Sequence, residues 1–393
     1  MHPDRLAEIQ SALQAQNLDA WLFFDHHQRD PLAYRILGFT PASHVTRRWY
    51  YLIPRQGEPH ALVHRIEAGM LNALPGQKHV YAGWRSQQTE LASLLSGLKT
   101  VAMQYSPGCA IPYVSMVDAG TVELIRSFGV DVVSSADLIQ LFDATLDSGQ
   151  IESHFWAAQK MDALRAAAFD EARNAVALGR TLTEYQLHVW LREAFDREGL
   201  TTDHGPIVAV NAHAGDPHYE PSAASSSEIR AGDLLLIDMW AKRKAPRSVY
   251  YDITWTAFLG AAPPTEIENV FSIVCAARDA GFSAVDQSRT ARTPLAGFAV
   301  DNATRQVIEQ AGYGQAFVHR TGHSIGEDVH GTGANMDDLE THDERLILPH
   351  TLFSIEPGIY LPHFGIRSEF NVLALPDSAR TTGAIQTELL RLV

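Results

Sequence analysis

Two runs of this chain, Leu234-Leu235-Leu236-Ile237-Asp238-Met239-Trp240 and Val249-Tyr250-Tyr251-Asp252-Ile253-Thr254-Trp255-Thr256, each set one carboxylate inside an apolar, β-rich stretch. Fourteen residues apart, the two aspartates fit a hairpin of neighbouring strands that aims both at one place. An unpaired carboxylate at the edge of a core is costly. Each aspartate taken alone also fits an ordinary strand-end residue capping a turn.

Three further residues extend the set. His323 lies in His319-Arg320-Thr321-Gly322-His323-Ser324-Ile325-Gly326, where the glycines let backbone pass close to a ligand. Glu356 ends Phe353-Ser354-Ile355-Glu356 just before Pro357-Gly358, and Glu369 follows Gly365-Ile366-Arg367-Ser368. Four carboxylates converging on one point repel each other unless cations neutralise them. Two divalent ions carry the charge that four carboxylates and a neutral imidazole leave open. An oxygen-rich set with one histidine suits Mn, Co or Zn better than copper or a thiolate-loving metal. The constellation reads as a hydrolase with a paired metal centre. His319, His323 and His330 cluster, and His218 in Asp216-Pro217-His218-Tyr219-Glu220-Pro221 is a fourth candidate. Arg367 is placed to hold Glu369 or a substrate carboxylate through both its nitrogens; an ordinary ion pair is the alternative.

The rest of the chain bounds this reading. With 393 residues a large core and two or three domains are expected. Apolar residues make up 46% and charged residues 20%, as in an ordinary globular protein. The net charge of −15 argues against a nucleic-acid partner, which wants a basic face. No stretch approaches the length of a membrane span, and the N-terminus has no apolar signal core. The two cysteines, Cys109 and Cys275, exclude a disulfide framework and a thiolate-rich metal site, so a reduced cytoplasm is expected.

Along the chain, helices are expected at residues 3–16, 31–37 and 117–128, with strands at 20–24, 48–54, 59–64 and 100–103. This alternation implies an α/β domain with a partly parallel sheet, ending near the turn-forming Asp147-Ser148-Gly149. A long helix follows at 151–178. A second spans 181–198, opened by Thr181 with Glu184 three residues on in a capping-box pattern. Strands at 207–210, 234–237, 253–259 and 352–355, and helices at 266–288 and 294–310, fill the remainder.

The five contexts, in the order Asp, Asp, His, Glu, Glu, together with the two-part layout, resemble the Xaa-Pro peptidases of the methionine aminopeptidase, prolidase and creatinase superfamily. Residues 155–393 carry the motifs; residues 1–150 match only in layout and in Pro31-Leu32-Ala33-Tyr34-Arg35-Ile36-Leu37-Gly38-Phe39. The resemblance implies an α/β creatinase-like N-terminal domain at 1–150 and an α+β pita-bread catalytic domain at 151–393. It implies that Asp238 holds one metal, that Asp252 and Glu369 bridge both, and that His323 and Glu356 hold the second. His218, His319 and His330 match the family's substrate-contacting histidines. The chain departs from the pattern at Trp240, where a glycine is usual, at Trp255, where the usual T-R-T has arginine, and at Phe370, where an acidic residue is usual. None of these removes a ligand.

The expected activity is metal-dependent hydrolysis of the Xaa-Pro bond in dipeptides. An aminopeptidase acting on longer peptides is the close rival. A metal-free creatinase-like hydrolase or a non-catalytic binder would have lost the ligands, and all five remain. Glu356 is the expected proton shuttle, and His218 or His330 would face the developing oxyanion. Arg47, Arg48 and Arg367 are the candidates to anchor a free proline carboxylate. The resemblance further implies a homodimer in which one N-terminal domain borders the other subunit's site.

Overall fold

The computed structural model describes residues 3–41 and 44–393, and the chain divides into two compact units, Met1–Asp143 and Ala144–Val393.

The first unit runs α1 (Pro3–Ala15), β1 (Ala20–Asp25), α2 (Pro31–Leu37), β2 (Trp49–Pro54), β3 (His60–His64), β4 (Gln77–Tyr81), α3 (Trp84–Leu95), β5 (Thr100–Met103), α4 (Ala119–Arg126), β6 (Asp131–Ser134) and α5 (Ala136–Ile139). Its strands form one mixed sheet in the order β4-β3-β2-β1-β5-β6. Because successive side chains on a strand point to opposite faces, β1 feeds two cores. Trp21 and Phe23 pack with Ile9, Leu13 and Ile36 of α1 and α2, while Leu22 and Phe24 pack with Leu91, Leu95 and Ile125 of α3 and α4. The α2 boundaries follow from its punctuation: Asp30 caps Ala33 N–H, Pro31 opens the helix, and Gly38 closes it at φ 67°. The polar edge strand β4 and the helix α3 were not expected from sequence; exposed Gln77 and Lys78 give β4 no apolar alternation.

The second unit begins with α6 (Ser148–Ala177), capped by Asp147 and Gln150, then α7 (Glu184–Arg197), β7 (Leu200–Thr201), β8 (Ile207–Val210), β9 (Leu234–Arg243) and β10 (Tyr251–Phe258). Next come α8 (Thr265–Ala291), α9 (Gly297–Gln310), β11 (Ser324–Ile325), β12 (Leu352–Ile355), β13 (Gly358–Leu361), β14 (Phe364–Arg367), β15 (Phe370–Ala374), β16 (Ala379–Thr382) and β17 (Leu390–Arg391). One sheet pairs β17-β10-β9-β7 with β8 on β9; another has the order β11-β12-β15-β16; β13 and β14 form a hairpin. Helices α6 and α7 pack against the first sheet through Met161, Phe169, Leu187 and Leu191, facing Ile237, Met239 and Ile253. Helices α8 and α9 cover the second through Val285 and Val300, packed on Phe353, Ile355 and Val372. The site lies on the faces that these helices leave free.

The start of α7 corrects the expected cap. Thr183, not Thr181, accepts from Gln186 N–H, and Gln186 returns the bond to Thr183 N–H. Both spacings satisfy the capping rule, but Leu182 carbonyl is taken by Ile229 N–H and Glu184 is drawn inward to other donors. Helix α9 likewise begins at Gly297 rather than residue 294, because Ala296 bridges Leu346 and Gly297 N–H bonds Arg345.

Candidate metal centre

In the β9–β10 hairpin Asp238 stands opposite Thr254 and Trp240 opposite Asp252. Directly opposed residues share a face, as do residues two apart along a strand, so both aspartates point to the same side. The hairpin expected from the spacing therefore forms, and β9 runs on past Asp238 to Arg243. Asn371 of β15 fixes its other edge: the side-chain amide accepts from Asp252 N–H at 3.0 Å and donates to Asp252 carbonyl at 2.7 Å. Gln386 does the same to Thr256, at 3.0 and 2.6 Å. Two side-chain amides thus satisfy the edge of β10 ahead of Ala257 and Phe258, where β17 pairs with it.

The second sheet supplies the remaining three residues. Ser324 pairs with Phe353 and Ile355 with Phe370, so His323, Glu356 and Glu369 sit one step beyond paired positions. Ser354 ties two of them together, accepting from His323 N–H at 3.0 Å and donating to Glu356 Oε1 at 2.9 Å. Ligand oxygens of Asp238, Asp252 and Glu369, all buried, lie within 4.8 Å of one another. His323 Nε2 is 3.5 Å from Asp252 Oδ2 and 3.3 Å from Glu356 Oε1. Asp252 belongs to both groups, and all five residues meet at one centre.

This centre is short of positive charge. Burial, then repulsion from Asp252 and Glu356, pushes the Asp238 carboxyl up to about 7, although Arg367 opposes the shift. Burial and its three acidic neighbours push Glu369 well above the usual carboxylate range, and burial raises Asp252. Glu356 differs: burial raises it, but His323, His319 and Arg367 together hold it lower. Glu369 Oε1 is buried without any hydrogen-bond partner among the described residues. His323 Nδ1 donates to Ser324 carbonyl at 3.1 Å, which leaves the Nε2 lone pair of a neutral ring facing two carboxylate oxygens. Without metal, protons must offset this charge, and against its burial Asp252 and Glu356 raise His323 for that reason; a divalent cation meets the same need, so the residues fit divalent metal, and the donor chemistry is that of Mn, Co or Zn.

Around the centre runs a chain that the sequence did not disclose. The Arg367 guanidinium is bonded to Asp238, to Thr254 Oγ1 at 3.0 Å and to Tyr360 Oη at 3.0 Å. Thr254 hydroxyl donates on to Glu369 Oε2 at 2.9 Å. His319 Nδ1–H donates to Arg320 carbonyl at 2.7 Å, so its Nε2 takes the Tyr360 O–H, also at 2.7 Å. Arg367 thus grips Asp238 directly and reaches Glu369 only through Thr254, which corrects the expected direct pairing. Both nitrogens of His319 are already engaged with protein. Thr254, Asn371 and Tyr360 look like ordinary strand residues in the sequence; only the register reveals their work.

His330 is exposed and sets its ring edge-on to His323, with centroids 4.4 Å apart. His218 is also exposed, and the carbonyl of Pro217 beside it faces Arg367 Nη1 at 3.5 Å. Trp240 is half-buried on the ligand-bearing face, its indole N–H donating to Asp203 at 3.0 Å. Trp255 points the opposite way, into the α6 side of the sheet, where Arg165 stacks 3.5 Å above its ring. Trp255 therefore lies off the ligand-bearing face: one residue of register puts it in the core. Phe370 is buried against Phe282 and Arg278. Arg47 is exposed and Arg48 half-buried, both in the first unit.

No described helix is long and apolar enough to cross a membrane. The chain is 27% identical over 340 residues to "Probable dipeptidase PepE" of Mycobacterium tuberculosis, covering 86% of this chain and 84% of that protein. It is 30% identical over 185 residues to an Xaa-Pro dipeptidase of Pyrococcus furiosus, 47% of this chain and 48% of that one. The fold is shared with the crystal structure of dipeptidase PepE from Mycobacterium ulcerans, at a TM-score of 0.74 and 23% identity over 99% of this chain and 97% of that one. The profile of metallopeptidase family M24 matches residues 157–375, the segment that brings all five centre residues together, and the chain belongs to that family.

Proposed function

We propose that this protein hydrolyses the Xaa-Pro bond of dipeptides, using two divalent ions held by Asp238, Asp252, His323, Glu356 and Glu369. The observation that carries the reading is the charge deficit of the centre, with Glu369 Oε1 buried without a hydrogen-bond partner among the described residues and His323 Nε2 turned towards two carboxylate oxygens. In this assignment Asp238 would hold one ion, His323 and Glu356 the other, and Asp252 and Glu369 would serve both. The names of the relatives, dipeptidase and Xaa-Pro dipeptidase, support the substrate class.

Bound ions would supply Lewis acidity and make water acidic enough to act as a nucleophile near neutral pH. The chain's own groups do the rest. Glu356, held by Ser354, would take a proton from the attacking water and pass it to the departing proline nitrogen, which as a tertiary amide carries no hydrogen of its own. His218 and His330, the two exposed histidines of the set, face the carbonyl oxygen as its charge grows. Arg367 and Tyr360 keep Asp238 in place, and Trp240 walls the ligand-bearing face. The proposal includes two domains, whose boundary falls between Asp143 and Ala144 rather than at the expected 150/151, which lies inside α6, and a cytoplasmic homodimer; sedimentation of the purified protein tests the dimer.

A panel of Xaa-Pro dipeptides against Xaa-Pro-Xaa tripeptides tests the substrate. Dipeptides are expected to be cleaved with little cleavage of tripeptides, together with two equivalents of metal in the active protein. Equal rates on both lengths would replace the dipeptidase reading with an aminopeptidase.

A further inference from the structure

Between β8 and β9 the chain makes a long excursion, residues 211–233, with only a short 3-10 segment, Asn211–Gly215, as regular structure. His218 rides on this excursion. Asn211 closes its base at φ 49°, its amide bonding Asp233 at 2.7 Å and Leu234 N–H at 2.9 Å. On one side the excursion lies against the site: Pro217 carbonyl faces Arg367, and a Cβ on Gly365 would meet Ala214 carbonyl at 1.7 Å. On the other side stands Glu184, in the first turn of α7.

Glu184 is 0% exposed, yet no arginine or lysine pairs with it among the described contacts. Its carboxylate instead accepts from Val210 N–H, Ser227 N–H and Tyr219 O–H, each at 2.7 Å, and from His213 Nδ1–H at 2.9 Å. Glu184 N–H adds a bond to Ser227 carbonyl at 3.0 Å. An ionised carboxylate offers about four acceptor sites, and these donors fill them. Val210 is the last residue of β8, and the other three donors come from the start, the middle and the far arm of the excursion. Tyr219, stacked on His213 with centroids 4.4 Å apart, is the residue next to His218. An isolated buried carboxylate is costly, and a plain helix-start residue has no need of such a position.

We propose that Glu184 is a positioning residue: it fixes residues 210–227 as one body and thereby sets where His218 is presented to the substrate. This rests on the reading of His218 as a substrate contact given above. Glu184→Gln keeps the shape but turns one acceptor oxygen into a donor that faces N–H or O–H groups. Tyr219→Phe removes one tie only, and it carries the test should Glu184→Gln not fold.

The experiment is a double-mutant cycle on kcat/KM for an Xaa-Pro dipeptide, with metal content and melting temperature measured for each protein. Glu184→Gln is expected to lower kcat/KM about tenfold or more, and Tyr219→Phe by a smaller factor, with metal content unchanged. In the His218→Ala background both losses should largely vanish. Losses of equal size in both backgrounds, or folded Glu184→Gln with unchanged kcat/KM, would overturn the proposal. If His218→Ala alone leaves kcat/KM unchanged, the reading of His218 itself falls, and this inference with it. A normal Glu184→Gln beside an impaired His218→Ala removes only the role of Glu184.

Discussion

Asp25, at the end of β1, and Glu369, ahead of β15, are equally buried acids, each 1% exposed, in opposite surroundings. Asp25 is wrapped in donors: Arg29 N–H at 2.7 Å, Gln28 and Asp30 N–H at 3.0 Å, and the Tyr34 hydroxyl. Glu369 has the Thr254 hydroxyl on one oxygen and no donor among the described residues on the other, with three further carboxylates nearby. Burial is the same and the donor supply is not. A saturated acid holds a loop; a starved one waits for a cation.

Removing each acid should therefore have opposite consequences. Glu369→Ala, or Asp252→Ala, is expected to cut activity by roughly a thousandfold or more and to lose metal, with the fold retained. Asp25→Ala should instead cost about 2–4 kcal/mol of stability, by orphaning buried N–H groups, with metal content kept. Metal analysis beside thermal unfolding separates the two, and a Glu369→Ala protein with full metal and activity would break the contrast.

The histidines divide in the same manner. His330 is exposed beside His323, so His330→Ala is expected to lower turnover by about a hundredfold while metal content stays at the wild-type level. Metal lost in step with activity would move His330 into the ligand set.

Chelation gives a smaller, pH-dependent signal. The Asp238 carboxyl, at about 7 in the fold against 3.8 for the free group, binds its proton more tightly folded than unfolded. Metal-free protein should then lose stability as pH rises between those values, because the unfolded chain has already released the proton. The gap in melting temperature between metal-loaded and chelated protein is expected to widen from pH 5 to pH 8. A gap that narrows would contradict the charge deficit.

Helix α6 holds a control. His154, fully enclosed, has Nδ1–H on Tyr250 carbonyl at 2.6 Å and Nε2 accepting from Thr382 at 2.8 Å, and burial lowers it to about 4. The unfolded chain binds a proton near 6.5 that the folded one refuses, so stability falls as pH drops from 6.5 towards 4, by up to about 3 kcal/mol. His154→Gln should flatten that acid limb without changing metal content. An unaltered limb would show that other groups set it.

The five centre residues were legible because each is a polar group inside an apolar or tight-turn context, an anomaly that periodicity exposes at once. Their supports were not. Thr254 and Asn371 have the composition of any strand, and their value lies in what they touch, a carboxylate 115 residues away for Thr254 and a backbone amide 119 residues away for Asn371. Trp240 and Trp255 show the limit of proximity in sequence: both neighbour a ligand, and only the strand register separates the ligand-bearing face from the core. The cap at α7 was misread for a related reason. Thr181-Leu182-Thr183-Glu184-Tyr185-Gln186 contains the pattern twice, and tertiary bonds to Glu184 choose between the copies.

The amide of Asn371 has one more consequence. Beside the backbone bond from Glu369 N–H to Thr254 carbonyl at 3.1 Å, it joins β10 to β15 through a side chain of fixed reach, which works as a strut between the sheet carrying Asp252 and the sheet carrying Glu369. The gap between the Asp252 and Glu369 carboxylates is thereby gauged in part by the length of one side chain. Glutamine, a single methylene longer, keeps every hydrogen-bonding group and still changes the gauge, so Asn371→Gln would retune which ion radius the centre prefers without touching a ligand.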